Sequence, residues 1–244
     1  MIQPASVYAS RHIGNVQVIA TSRHGGLGSG VFGELNLGGH VGDDPDVVSA
    51  NRAHVRDLVS ARELVFMEQF HSDVVHRVTT GLPVTDGDGI VTTQSDIALA
   101  AFGADCVTFA LVDPVAQVIA AGHSGWKGLA VGLPDALVQE FFAAGAQASN
   151  STAVIGPAIC GTCYEVSAER VEVLGALCPE AIVDSRHIDV TEGVVSVLDA
   201  YGIKTDVLGG CTFEDPDLYS FRRDGVTGRS ALVVVMNQEP LPAA

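Results

Sequence analysis

The stretch 97–128, IALAAFGADCVTFALVDPVAQVIAAGHSGWKG, constrains the fold more than any other part of the chain. Its only charges are Asp105, Asp113 and the closing Lys127, so it reads as two strands buried on both faces and not as a half-exposed pair. Asp113-Pro114 marks the reversal between them. A turn centred between Pro114 and Val115 pairs Asp113 with Ala116, Phe109 with Ala120, and Cys106 with His123. Opposite residues on one face hold their Cβ atoms about 4.5–5.5 Å apart. That span suits two ligands on one metal ion, or a thiol hydrogen-bonded to a base. A slip of one residue would put the two side chains on opposite faces.

The chain of 244 residues carries no Pro/Ser/Gly-rich linker and no charge run, which predicts one domain over 1–244 with ample core. A formal net charge of -16 excludes nucleic acid and anionic membrane surfaces as partners, because both would be repelled at long range. Any anionic substrate must then meet local Arg or Lys. The N-terminus lacks a basic segment followed by an apolar one, and the run ALVVVM at 231–236 is too short to span a bilayer. Five cysteines, an odd number, fit reduced thiols better than a disulfide framework. The expectation is a cytoplasmic enzyme; its oligomeric state is not legible.

Residues 16–22 read as a first strand, followed by a glycine-rich run in which Gly28, Gly30 and Gly33 satisfy GxGxxG. A dinucleotide site needs a helix to open at the third glycine. Here Glu34-Leu35-Asn36-Leu37 alternates and then breaks at Gly38-Gly39, so a glycine loop is expected instead. Asp44-Pro45-Asp46 is a helix start with Asp44 as N-cap, and the helix should run to about Val59 with Asn51 and Arg52 on it. A buried strand at 64–69 delivers His71, and 82–89 is a loop. Helical spacing returns over 129–144, with Pro134 in the first turn of its main part or at a kink. A short strand at 153–155 leads into GPAICGTCYE; Ser167 caps a helix reaching about Leu177, Asp189 or Thr191 starts another ending near Gly202, and strands follow at 204–208 and 231–236. The irregular alternation predicts an α/β or α+β fold with a mixed sheet.

A His, Cys, His set with one open position is the arrangement of catalytic zinc, and His71 supplies the third donor to Cys106 and His123. Copper would want a weak axial methionine, for which only Met67 and Met236 come into consideration. Cys160 and Cys163 form a CxxC. No second CxxC exists, and the next helix starts too late to activate a redox thiol, so loop packing is the default. Arg222-Arg223-Asp224-Gly225, close to Arg229, is the densest basic cluster, and its plain reading is a solvated turn. Lys127, four residues past His123, is the better candidate to neutralise a phosphate.

TSRHGG, LNLGGHVGDDP with the following Asn51-Arg52, QFH at 69–71, GADC at 103–106, HSGWKG at 123–128, IGPAICGTCYEV at 155–166 and FRRDGVTGR at 221–229 together resemble the YfiH/YlmD-like laccase-domain proteins. The resemblance covers nearly the whole chain in the family's order. It implies a single-domain α/β/β/α sandwich with mixed sheets, related to the catalytic fold of cytotoxic necrotizing factor. It also implies a zinc-dependent enzyme that phosphorolyses adenosine, inosine, guanosine and methylthioadenosine and deaminates adenosine, with His71, Cys106 and His123 as metal ligands and catalytic centre. Ser72 and Lys127 depart from the family's usual Gly and Arg; neither removes a ligand, but Lys lacks the bidentate contact of Arg.

Purine nucleoside and phosphate are therefore the expected partners, with Arg52, Lys127 and more weakly Arg222 as the anion site. Other readings stand beside this one. Cys106 and His123 could serve a thiol hydrolase or deamidase, in which His71 would be needless. The family's older name suggests a copper polyphenol oxidase, and some relatives have been assigned to cell-wall precursor editing.

Overall fold

The computed structural model describes residues 6–237. Eleven strands form two mixed sheets. The first has the order β1 (Val7–Ile13), β2 (Val16–Thr21), β11 (Ser230–Met236), β6 (Ile97–Gly103) and β3 (Glu63–Phe66). The second runs β10 (Lys204–Val207), β9 (Thr152–Ile155), β7 (Val107–Asp113), β8 (Val118–Ser124), β5 (Gly89–Thr92) and β4 (Val75–Arg77). Pairing is antiparallel except at β3·β6, β4·β5 and β9·β10.

Alternation along the strands sorts the apolar residues into three stacked cores. On β6, Ala98, Ala100 and Phe102 face α1 (Pro45–Leu58) through Leu35, Leu37, Val55 and Val59. Ile97, Leu99 and Ala101 face the other way, onto Ala110, Val112, Ile119 and Ala121 of the second sheet. The far face of that sheet, with Phe109, Leu111, Val118 and Ala120, is covered by α2 (Trp126–Val131), α3 (Leu133–Ala143), α4 (Ala168–Leu177) and α5 (Val190–Ala200). The result is one α/β/β/α domain in which each large apolar side chain in the cores contributes roughly 1.5–3 kcal/mol. A one-turn helix, α6 (Phe221–Asp224), precedes β11.

Several local signals act as the sequence implies. Asp44 caps α1 by accepting from the Asp46 amide, and Asp189 caps α5 by accepting from the Glu192 amide, whereas Ser167, at the N-cap position of α4, makes no side-chain cap hydrogen bond. The helix expected over 129–144 is two helices, broken at Gly132, whose φ of +88° suits glycine, with Pro134 in the first turn of α3. The glycine-rich run opens no long helix. It is a loop with positive φ at Gly25 and Gly30, held by Asn51, which accepts from the Leu27 amide and donates to the carbonyls of Glu34 and Asn36. Strands β1, β4 and β5 were not expected from the sequence, since their residues alternate weakly or sit among turn signals.

The central stretch needs two corrections. It holds three strands instead of two, and the first belongs to the other sheet. The hairpin between β7 and β8 pairs Asp113 with Val118, Phe109 with Gly122 and Thr108 with His123. The turn thus spans 114–117, two residues longer than a tight reversal, because the Asp113 carboxylate accepts from both Val115 and Ala116 and Gln117 takes a φ of +57°. Thr108, not Cys106, stands opposite His123.

Candidate metal centre

Residues 104–106 carry the chain from the first sheet to the second, at the mouth of the sandwich. Asp105 makes the crossing at a φ of +113°, a conformation that L-residues avoid without external support. The support is its own carboxylate, which accepts from Thr212 Oγ1 at 2.7 Å, Ser220 Oγ at 2.7 Å and the Arg222 amide at 2.6 Å. Cys106 is thereby set just before β7, on the same face as Thr108 and His123. The two-residue change in register leaves the thiol and the imidazole on one side of the sheet.

His71 arrives from a segment beyond β3. The Gln69 side chain pairs with both backbone groups of Phe102, donating to its carbonyl at 3.1 Å and accepting from its amide at 2.7 Å, so a side-chain amide prolongs the β3·β6 ladder. Two residues on, His71 adopts a φ of +62° and its Nε2 lies 3.7 Å from Cys106 Sγ. Its ring meets that of His123 edge-on, with centroids 4.9 Å apart. Gly125, just past β8, leaves the space they need: a Cβ there would lie 2.8 Å from His71 Cδ2 and 2.9 Å from Cys106 Sγ.

The residue that organises the cluster is Asp88, which sequence reasoning missed. It is fully buried, and its Oδ1 holds His123 Nδ1 at 2.8 Å. Its Oδ2 accepts from the amides of Phe70 and Ser72 and from Ser72 Oγ, the residues on either side of His71. One carboxylate thus orients one candidate ligand and clamps the loop that bears another. The Asp-Gly-Asp-Gly run at 86–89 signalled only a turn. Ser72 is an Asp88 donor through its hydroxyl as well as its amide.

One donor atom each from His71, Cys106 and His123 lie within 4.8 Å of one another. Tetrahedral zinc spaces its nitrogen and sulfur ligands by about 3.6 Å, close to the His71–Cys106 separation. With Nδ1–H given to Asp88, His123 turns its Nε2 lone pair toward the cluster, the carboxylate–imidazole pattern of metal sites. Burial opposes the charged forms. The hydrogen bonds win: His123, held by Asp88 and Cys106, is pushed up to about 9, and Cys106, beside His123 and His71, comes down to about 6. Asp88 is likewise carried well below the usual carboxylate range, against burial, by His123 and Ser72. The cluster therefore favours a thiolate with positive charge beside it, the condition a metal cation satisfies. Met67 and Met236 sit in the core between the sheets, and neither lines the cavity above the cluster.

That cavity, about 320 Å³, is walled by Phe102, Tyr164 and Phe221, with His40, Arg222 and Arg229 around it. Of the three cations expected to meet an anion, only Arg222 lines it. The Arg222 guanidinium lies over the Tyr164 ring at 5.0 Å and donates to the Glu165 carbonyl. Arg52 donates to the Leu37 carbonyl, stacks on Phe66 and Phe102, and lines a neighbouring cleft that shares His40, Gln69 and Phe102. Lys127 is exposed beside Trp126. Arg229 belongs to the site although only its place near a basic cluster hinted at it.

Among proteins of known sequence, this chain is 42% identical over 230 residues to purine nucleoside phosphorylase ORF3 of Streptomyces griseus, covering 89% of this chain and 93% of that one. The crystal structure of Bacillus licheniformis YfiH superposes with a TM-score of 0.84 at 30% identity, covering 91% of this chain and 93% of that one. YlmD from Geobacillus stearothermophilus gives 0.83 at 29% identity over 97% of this chain and 94% of that one. No helix among the described residues is long and apolar enough to cross a membrane. With residues 17–237 matching the family described as multi-copper polyphenol oxidoreductase laccase, the chain belongs to that laccase-domain family of YfiH- and YlmD-like proteins.

Proposed function

We propose that this protein is a zinc-dependent purine nucleoside phosphorylase that cleaves adenosine, inosine, guanosine and methylthioadenosine to the free base and the corresponding ribose 1-phosphate, and that also deaminates adenosine. The observation that carries the proposal is the His71–Cys106–His123 set at the floor of a cavity whose walls offer aromatic faces and two guanidinium groups. Zinc held by these three residues would supply Lewis-acid polarisation of a substrate atom. The rest of the chemistry belongs to the chain. Phe102, Tyr164 and Phe221 offer surfaces on which a purine can stack, an interaction worth about 1–3 kcal/mol per base. Arg222 and Arg229 offset the repulsion that a net charge of -16 exerts on a phosphate dianion. Burial and the nearby Arg229 and Arg52 hold the His40 pKa below its usual value, so it is a neutral hydrogen-bonding group at the cavity edge. Arg52 backs this wall from the adjoining cleft.

His71 favours the metal reading over a thiol hydrolase. A Cys106–His123 pair would not need a second imidazole 3.7 Å from the sulfur, held there in a left-handed conformation and clamped by Asp88 on both sides. The test is product analysis with zinc-loaded and metal-stripped protein. Adenosine with phosphate should give adenine and ribose 1-phosphate, adenosine without phosphate should give inosine, and stripping should abolish both. Zinc-loaded protein that releases neither base nor inosine from any purine nucleoside refutes the proposal. Full copper occupancy in unsupplemented cells would instead favour the oxidase reading.

A further inference from the structure

The CxxC at Cys160 and Cys163 is not alone in the fold. The loop before α6 brings Cys211 and Glu214 against it, so that Cys160, Cys163 and Cys211 Sγ and a Glu214 carboxylate oxygen all lie within 4.8 Å of one another. The two halves have the same backbone shape. In the first, the amides of Cys163 and Tyr164 both donate to the Cys160 carbonyl, each at 3.0 Å. In the second, the amides of Glu214 and Asp215 donate to the Cys211 carbonyl at 3.1 and 2.9 Å. Each is a single tight turn carrying donors at its first and fourth positions. The turns are joined by a bridge between Ala158 and Cys211, by the Thr212 amide donating to the Ala158 carbonyl, and by the Cys160 amide donating to Cys211 Sγ at 3.3 Å. No disulfide links these cysteines.

We propose that Cys160, Cys163, Cys211 and Glu214 form a second, structural zinc site. Three thiols with one carboxylate are a soft donor set that selects zinc over magnesium or calcium. Four protein donors leave no open position, as in structural zinc sites. Sulfur ligands on tetrahedral zinc stand about 3.8 Å apart, so donors already within 4.8 Å need only small side-chain rotations. The surroundings are built to hold the second turn in place: Arg223 donates to the carbonyls of Thr212, Phe213, Asp215 and Leu218. A redox role for the CxxC fits less well, because the helix that follows it, α4, begins only at Ala168. The ion would tie the segment leading to Tyr164 to the segment leading to Phe221 and Arg222, and so brace one wall of the cavity.

The test counts zinc in protein whose first site is disabled. Cys106→Ala protein, purified under reductant without added metal, should carry one zinc per chain by elemental analysis. Cobalt in its place should give the thiolate charge-transfer absorption of a tetrahedral sulfur-rich site. Cys106→Ala/Cys211→Ser should carry none, and Cys106→Ala/Glu214→Gln, which keeps every thiol, should release its zinc to a chelator at least about tenfold faster. A folded Cys106→Ala chain with no zinc, an unchanged zinc count in the Cys211→Ser double variant, or recovery of Cys160 in a disulfide would overturn the proposal. Because Cys106 is absent throughout, these results are independent of the metal content of the first site.

Discussion

Asp88→Asn tests whether one carboxylate builds the metal centre. The aspartate accepts four hydrogen bonds at its two oxygens: one from His123 Nδ1, and three from the Phe70 amide, the Ser72 amide and Ser72 Oγ. An asparagine has a single acceptor oxygen and must choose. If that oxygen keeps the three donors around His71, the amide NH2 faces His123, which must then accept at Nδ1 and carry its proton on Nε2, the atom needed for the metal. If the amide is reversed, its NH2 confronts backbone N–H groups and the 70–72 loop loses its anchor. Either way one ligand is misplaced. Loss of such a supporting partner costs about 10–100-fold in metal affinity, or about 1.4–2.7 kcal/mol. Buried donors left unpaired add about 1–3 kcal/mol to the stability loss. Zinc competition against a chromophoric chelator measures the first quantity and thermal melting of the metal-free protein the second. A zinc affinity within about twofold of the parent, the scale of experimental scatter beside the tenfold expected, would refute the assignment of Asp88.

Gly125→Ala should lower zinc affinity by at least about tenfold, because its Cβ would press on His71 and Cys106; φ there is −82°, so the backbone accepts alanine and the melting temperature of the metal-free protein should hold. Asn51→Ala removes three hydrogen bonds between α1 and the glycine-rich loop and should cost about 2–4 kcal/mol by denaturant unfolding, with zinc content unchanged.

The chain's own patterning showed what each strand buries. A run with few charges became β6, β7 and β8, and Asp44 marked the start of α1 as its cap. The juxtaposition of Cys106 and His123 was legible because strand parity survives an error of two: whether the turn holds two residues or four, the two face the same side. Which sheet β6 joins was not legible, since the change of sheet depends on Asp105 finding Thr212, Ser220 and Arg222, all more than a hundred residues away. Asp88 was hidden for the same reason. Its turn-like neighbourhood is local, and its partners His123 and Ser72 come together only in the fold.

The cations show the limit most plainly, and they separate two accounts of phosphate binding. Nearness in sequence to His123 recommended Lys127, yet α2 carries it to the surface, where its Nζ lies 5.9 Å from the centre of the Trp126 ring and outside the cavity. Arg222 and Arg229, more than a hundred residues beyond Cys106, line the cavity with it because α6 and the segment running from it into β11 pass beside the cluster. Arg229 is half-buried, and burial lowers its pKa without bringing it near neutrality in any ordinary arginine, so its charge is both present and poorly solvated. An anion beside such a group gains more than one beside an exposed lysine. Removing a charge-assisted contact costs about 1.5–3 kcal/mol, which is roughly one to two decades in rate. Arg229→Ala should therefore lower kcat/KM for phosphate by about 10–100-fold, and Arg222→Ala, which removes a more exposed guanidinium of the cavity wall, by less, while adenosine deamination and zinc content change little. Lys127→Ala should leave phosphorolysis within about fivefold, since it lies outside the cavity and an exposed charge contributes under about 1 kcal/mol. The reverse order, with Lys127→Ala crippled and Arg229→Ala intact, would place the phosphate on the outer side of α2 and remove the cavity from the reaction.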